Sequence, residues 1–324
     1  MRMLFAVWVC LIRVVARRLS GKRRHPKWSY FFEVGVELCR SALEFRELRG
    51  RPGGQRAGTH VTPPSLQIAL KVKLTHGTLA GLPTEIHTPK GAAEGRTLLY
   101  VHGGGYVGCS PRTHRALIAE IALRSAARTF AVDYRKAPEH PFPAAVDDCV
   151  RAYQALLADG VEPTRLVVGG DSAGGGLVLA LMQRLRNAGV ALPAATVLLS
   201  PLVDLTERGG SMVSNAHFDY LNLGFADVRV DHYTGGHDPL DPLVSPLFAD
   251  LSNQPPMLVL TGSHEMLRDQ NVEFVERARK QGVDVTHEIG DNMVHVYPLL
   301  AEVSRKARAA IATIGQFVQR HTLP

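Results

Sequence analysis

Residues 170–174 read Gly-Asp-Ser-Ala-Gly. The spacing is GxSxG; the apolar run Leu166-Val167-Val168 leads into it and a helix-compatible stretch from Gly175 to Arg186 leads out. A serine on a tight strand-to-helix turn has its Oγ lifted above the sheet, and flanking glycines remove the Cβ clashes such a turn would create. Ser172 is therefore the candidate nucleophile of an acyl-transfer reaction. Such a reaction also needs donors for the developing oxyanion. His102-Gly103-Gly104-Gly105-Tyr106 follows the apolar run Leu98–Val101, and its three glycines leave backbone N–H groups open to a substrate oxygen. The N–H of Ala173, next after the serine, is the expected second source. GxxxxGK[ST] does not occur, so a P-loop phosphate cradle is a poor reading of the glycine loop.

A serine nucleophile needs a base, and the base needs an orienting carboxylate. The chain has 14 histidines, and position singles out His295, which follows the last apolar run, Val285–Ile289, and precedes the final helix-compatible stretch. The segment Gly262-Ser-His-Glu-Met-Leu-Arg-Asp269 follows the run Met257–Leu260 and offers Glu265 and Asp269. Glu265 comes first out of the strand and is preferred, whereas Asp269 is expected on the following helix as a capping or surface charge. HExxH is absent and His264 lacks the partners of a ligand set, so neither a metal nor an organic cofactor is expected.

The elements that would position these residues alternate. Short apolar runs at Leu98–Val101, Phe130–Asp133, Leu166–Val168, Thr196–Leu199, Met257–Leu260 and Val285–Ile289 are separated by helix-compatible spacers at Thr113–Ala127, Ala144–Ala158, Gly175–Asn187, Leu267–Gln281 and Leu299–Gln319. That pattern predicts an α/β fold with a mostly parallel central sheet and helices on both faces. Two alternating segments, Leu66–Leu74 and Leu82–Thr88, read as antiparallel edge strands around Gly77 and Gly81. A helix is expected over Ser29–Glu47 from the stripe Phe32, Val36, Cys39 and Leu43, and a loop over Arg49–Pro64. Residues 202–253, rich in Asp, Gly, Pro and His, read as an insertion that helps form a lid or substrate wall.

Composition narrows the class. With 45% hydrophobic and 21% charged residues the 324-residue chain is an ordinary globular protein, neither disordered nor fibrous. Cys10, Cys39, Cys109 and Cys149 are widely spaced with no CxxC pair, which points to a reducing, cytoplasmic compartment. Eight cations precede the first acid, Glu33, so the net charge of +7 belongs to the N-terminal segment and the remainder sums to about −1. No interleaved basic and aromatic face supports nucleic-acid binding. The apolar stretch before Arg13 is shorter than the roughly 20 residues a spanning helix needs. Leu4, Trp8, Leu11 and Val15 fall on one helical face with Arg2, Arg13 and Arg17 opposite, the layout of an interfacial helix. Residues 1–24 are thus expected either to contact an anionic membrane peripherally or to pack on the protein's own surface.

Several motifs together carry a resemblance: His102–Gly105, Asp133-Tyr-Arg-Lys-Ala-Pro-Glu-His-Pro-Phe-Pro143, Gly170–Gly175, Ser245-Pro-Leu247 and the segment around His295. Over about residues 60–320 the chain resembles the hormone-sensitive-lipase-like family of α/β-hydrolase esterases. The resemblance implies an α/β-hydrolase fold with an N-terminal helical cap, dividing the chain into a basic amphipathic segment (1–27), a cap helix and loop (28–60) and a catalytic domain (61–324) with a lid insertion around 202–253. It implies a serine carboxylesterase acting on short to medium acyl chains. Ser172 is then the nucleophile, His295 the base, Gly103, Gly104, Gly105 and Ala173 the oxyanion donors, and position 265 the acid. Many relatives carry Asp at that position, so Glu265 departs in type. The same groups would serve an acyltransferase or amidase, and a non-catalytic small-molecule receptor on this scaffold is the alternative from another class.

Overall fold

The computed structural model describes residues 2–47, 64–222 and 230–322. The loop expected over Arg49–Pro64 lies, but for Pro64, outside the described residues, as does part of the 202–253 insertion. Eight strands form one sheet: β1 (Val72–Leu79), β2 (Leu82–Pro89), β3 (Thr97–Val101), β4 (Arg128–Val132), β5 (Leu166–Asp171), β6 (Ala195–Leu199), β7 (Met257–Gly262) and β8 (Val285–Gly290). Their order is β1-β2-β4-β3-β5-β6-β7-β8, and β2 alone runs against the rest, pairing antiparallel with both β1 and β4. The six strands from β4 to β8 are parallel, as the alternation of apolar runs and helical spacers requires.

The central strands β3, β5, β6 and β7 are buried along their whole length because helices cover both faces. Helices α5 (Ala144–Ala158), α6 (Ala173–Asn187) and, after the short helix α7 (Gly210–Ser214), α8 (Arg268–Lys280) enclose one core with Leu99, Val101, Leu166 and Val168. Helices α4 (Pro111–Ser125) and α9 (Arg305–His321) enclose the other with Leu98, Tyr100 and Val167, so successive strand residues point to opposite layers. One expectation shifts here. The first edge strand begins only at Val72, because Leu66–Ala69 forms a single helical turn, α3, whose buried residue is Ile68, while Leu66 and Leu70 are exposed. The i, i+2, i+4 spacing of Leu66, Ile68 and Leu70 imitates a strand without burying one face.

The N-terminus folds as two 18-residue helices, α1 (Arg2–Leu19) and α2 (Tyr30–Glu47). Cys10 and Val14 of α1 are buried, and Phe32 and Val36 of α2 reach the second core. The two helices are joined by charge. Buried Glu33 accepts from Arg18 Nε at 2.7 Å and approaches Arg17 at 3.5 Å, while Glu37 accepts from Arg17 Nη2 at 3.1 Å and Arg24 Nη2 at 2.9 Å. This changes the expected faces of α1. Arg17 is turned onto α2, and Leu11 is partly covered. The solvent face carries Trp8 and Val15 from the expected stripe, joined by Ile12 and Leu19, whereas the side chain of Leu4 lies outside the described residues. No helix among the described residues is long and apolar enough to cross a membrane.

Candidate active site

Ser172 sits between β5 and α6 at φ 52°, ψ −123°, a left-handed turn that a serine adopts only when its surroundings impose it. Its N–H is tied to Leu199 O at 2.8 Å. A Cβ on Gly170 would stand 2.6 Å from Gly174 O, and one on Gly174 would collide with Val101 O, so both flanking positions of GxSxG must be bare. The turn sets Ser172 on the wall of a cavity of about 490 Å³ that His295 also lines. The cavity is largely apolar. Gly35, Leu38, Cys39, Ala42 and Leu43 of α2 form one wall, and Leu202, Leu205, Met212, Tyr220, Leu221 and Val230 of the 202–253 insertion form another.

The glycine loop is held from three sides. Asp171, buried directly before the serine, accepts the N–H of Gly103 at 3.0 Å and the Tyr100 O–H at 2.8 Å on Oδ1. Its Oδ2 is 3.2 Å from His114 Nε2 on α4. Burial would depress the His114 pKa, but the Asp171 carboxylate overrides it and lifts the imidazole to about 9, while desolvation of Asp171 is outweighed by His114 and its carboxyl is lowered. At neutral pH the two form a buried ion pair behind the loop. The Asp133–Pro143 motif supplies the third support: Tyr134 stacks on His102 with centroids 4.4 Å apart and donates its O–H to His102 O at 2.9 Å. One expected oxyanion donor is corrected by this geometry. The Gly103 N–H is already given to Asp171, and a Cβ there would strike that carboxylate, so Gly103 anchors the loop. The N–H groups of Gly105 and Ala173 have no acceptor among the described residues, and Gly104 and Gly105 take positive φ values of 126° and 61° that bend the loop at the cavity wall.

His295 is buried on the loop after β8, just before Val296 at φ 40°. Burial pushes its pKa down to about 4, so the ring is neutral near pH 7, as a general base must be. Among the described residues no hydrogen bond joins Ser172 Oγ to the ring, and His295 Nδ1 has no hydrogen-bond partner. Such contacts are often long in substrate-free sites. Glu265 is fully buried at the end of β7, but the direct bond expected from it to the imidazole is not formed. Its Oε2 accepts from Ser200 Oγ and Gly262 N, both at 2.6 Å, and its Oε1 from Asn271 Nδ2 at 3.1 Å. Ser200 Oγ in turn accepts the Val296 N–H at 2.9 Å, so Glu265 is one hydroxyl away from the histidine loop. Burial drives the Glu265 pKa well above the usual carboxylate range. Asp269 is the second residue of α8; its Oδ2 accepts Ser211 N at 2.8 Å and its Oδ1 pairs with Arg268.

A second buried carboxylate was not singled out by sequence reasoning. Asp219, in the insertion, accepts Met266 N at 2.7 Å, Tyr220 N at 2.8 Å and His295 N at 3.2 Å. It joins the acid loop, the histidine loop and the insertion at one point, and burial raises its pKa to about 6. Only the chance that an Asp in a 52-residue insertion reaches backbone 76 positions away distinguishes it, and spacing carries no such signal. The connection between α1 and α2, together with α2, braces the same region: Arg24 Nη1 donates to His217 O at 2.6 Å, Arg40 Nη1 to Asp219 O at 3.2 Å, and Trp28 Nε1 to Asn292 O at 2.7 Å.

Comparison with known proteins agrees with this architecture. A family model of the α/β-hydrolase fold matches residues 98–299. An acetyl-hydrolase of Streptomyces hygroscopicus is 43% identical over 71% of this chain and 77% of its own, and an esterase of Acinetobacter venetianus is 37% identical over 70% and 75%. Among solved structures, the esterase EstE5 superposes with a TM-score of 0.80 at 34% identity, covering 86% of this chain and 98% of that one. An esterase of the bacterial hormone-sensitive lipase family gives 0.79 at 35% identity over 98% of both. By similarity of fold and sequence to esterases over most of its length, the chain is a carboxylic ester hydrolase and belongs to the hormone-sensitive-lipase-like esterases of the α/β-hydrolase fold.

Proposed function

We propose that this esterase hydrolyses short to medium acyl-chain esters through an acyl-enzyme on Ser172. The observation that carries the reading is the wall shared by Ser172, His295 and the 104–105 loop around one apolar cavity of about 490 Å³. A carbonyl entering it meets the serine hydroxyl from one side and backbone N–H groups from the other. His295 takes the Oγ proton as Ser172 attacks, the carbonyl oxygen becomes an oxyanion held by Gly104, Gly105 and Ala173 N–H groups, and the imidazolium returns the proton to the leaving alkoxide. Water then repeats the cycle on the acyl-enzyme, with His295 as base, releasing the acid. Glu265 is assigned as the acid that steadies the imidazolium, and Asp219 as a positioning residue that holds the backbone N–H of His295. A depressed histidine pKa fits this sequence, because the ring is neutral when it must accept. Four cysteines, none of them in a disulfide, fit a cytoplasmic setting, and residues 1–24 are proposed as a peripheral membrane contact.

The test is a chain-length series of p-nitrophenyl esters run on the wild type and on Ser172→Ala. The wild type is expected to turn over acetate to octanoate, and the variant to lose at least about 10⁴-fold in kcat. Retention of turnover within tenfold by the variant would overturn the assignment.

A further inference from the structure

Successive layers run from the solvent to the cavity. The residues of α1 that face α2 are Cys10, Val14, Arg17 and Arg18, buried or held by Glu33 and Glu37. About half a turn round the same helix stand Trp8, Ile12, Val15 and Leu19, which are 64%, 62%, 44% and 84% exposed. On α2, Glu33, Glu37 and Ser41 face α1, and Gly35, Cys39 and Ala42, about half a turn round, face the cavity. The order is therefore apolar stripe, α1, α2, cavity. An apolar row of four large side chains has no covering element in the described structure, yet the helix that bears it is pinned by buried ion pairs.

The surrounding charge identifies what the row suits. Residues 1–27 contain no acid. Arg17, Arg18 and Arg24 pair with Glu33 and Glu37, and Arg13 reaches Glu37 at 4.0 Å, while Lys22, Arg23 and Lys27 stay exposed just beyond the stripe. Apolar side chains flanked by outward cations and free of acids match the acyl boundary and the phosphates of an anionic lipid surface. We infer that the outward face of α1 docks on an anionic lipid surface and that the site draws apolar esters from that surface into the cavity behind α2. The docking stands on the surface alone; the substrate route rests on the esterase mechanism proposed above.

Docking is tested by flotation of the full chain with phosphatidylcholine vesicles containing phosphatidylglycerol, beside vesicles of phosphatidylcholine only. Wild type and Ser172→Ala are both expected to float with the anionic vesicles. The triple variant Trp8→Glu/Ile12→Glu/Leu19→Glu, and separately Lys22→Glu/Arg23→Glu, are expected to bind roughly tenfold or more weakly. For the triple variant and for Lys22→Glu/Arg23→Glu, the rate on soluble p-nitrophenyl butyrate and the melting temperature report folding, and both are expected to match wild type. Absence of wild-type flotation, or equal flotation of both variants, overturns the docking, as does a wild-type dimer that the triple variant converts to monomer without any vesicle binding. The substrate route is tested with p-nitrophenyl decanoate dissolved in the anionic vesicles. The triple variant is expected to lose at least about tenfold in rate there, and an unchanged rate overturns the route while leaving docking intact.

Discussion

Removing His114 leaves the Asp171 carboxylate buried without its counter-charge. At 3.2 Å the pair attracts by about 5 kcal/mol at an effective dielectric of about 20, before desolvation is counted. The measurable cost of deleting one partner of such a pair is about 3–5 kcal/mol, because the survivor cannot rehydrate. His114→Ala should therefore lower unfolding stability by that amount in urea titrations at pH 7. Its effect should reach catalysis through Gly103, whose N–H is held by the same carboxylate. Since one oxyanion donor is worth about 3–4 kcal/mol, a partly displaced loop should lower kcat on p-nitrophenyl butyrate by about 10- to 100-fold with little change in KM. The pH dependence has a definite sign. The folded pKa of His114, about 9, lies above its ordinary value of 6.5, so the pair's contribution is complete below 6.5 and is lost as pH rises through 9. The penalty of His114→Ala should shrink accordingly at pH 10. Asp171→Asn/His114→Ala, which leaves no charge behind, should be more stable than His114→Ala by at least about 1 kcal/mol. A penalty under about 1 kcal/mol at pH 7, or one that is unchanged at pH 10, would refute the ion-pair argument.

Other outcomes follow from the same geometry. Asp219→Asn keeps an oxygen for some of the backbone N–H groups on the carboxylate but sets an amide N–H against another, so kcat should fall more than KM changes; equal activity with normal KM would count against its positioning role. Glu265→Gln should flatten the rate at all pH values, whereas Asp269→Ala should stay within about twofold of wild type, and the reverse order would reassign the acid. With His295 titrating near 4, kcat/KM should persist into mildly acidic solution and its histidine limb should appear near pH 4; a limb at the ordinary value of 6.5 would show the ring to be solvated in the working enzyme. Gly174→Ala forces a Cβ against Val101 O and should destabilise the fold by about 3 kcal/mol, measured by urea unfolding.

The parts of the site that announce themselves in sequence are those with local rules. Gly170 and Gly174 are needed by a turn five residues long, and the 103–105 glycines follow directly on a buried strand, so motif and context coincide. The central strands were equally legible because they are buried on both sides and read as continuous apolar runs. What spacing does not carry is pairing at a distance. The Asp171–His114 pair spans 57 positions, and the use of the Gly103 N–H by Asp171 spans 68. The faces of α1 differ from the wheel for a related reason. A hydrophobic wheel treats arginine as outward, whereas Glu33 and Glu37 turn Arg17 and Arg18 inward and leave Ile12 and Leu19 in solvent.

The bonds from Arg24, Trp28 and Arg40 to the loops carrying His217, Asp219 and Asn292 also mean that the N-terminus cannot be trimmed as an accessory. A protease cutting just after Trp28 would remove a surface helix and, in the same stroke, the Arg24 staple to the insertion and the Trp28 staple to the loop before His295. The molecule left behind would keep its serine, its sheet and its glycine loop, and would still be slow. Its defect would be mechanical slack in the base, which no assay of lipid binding would detect.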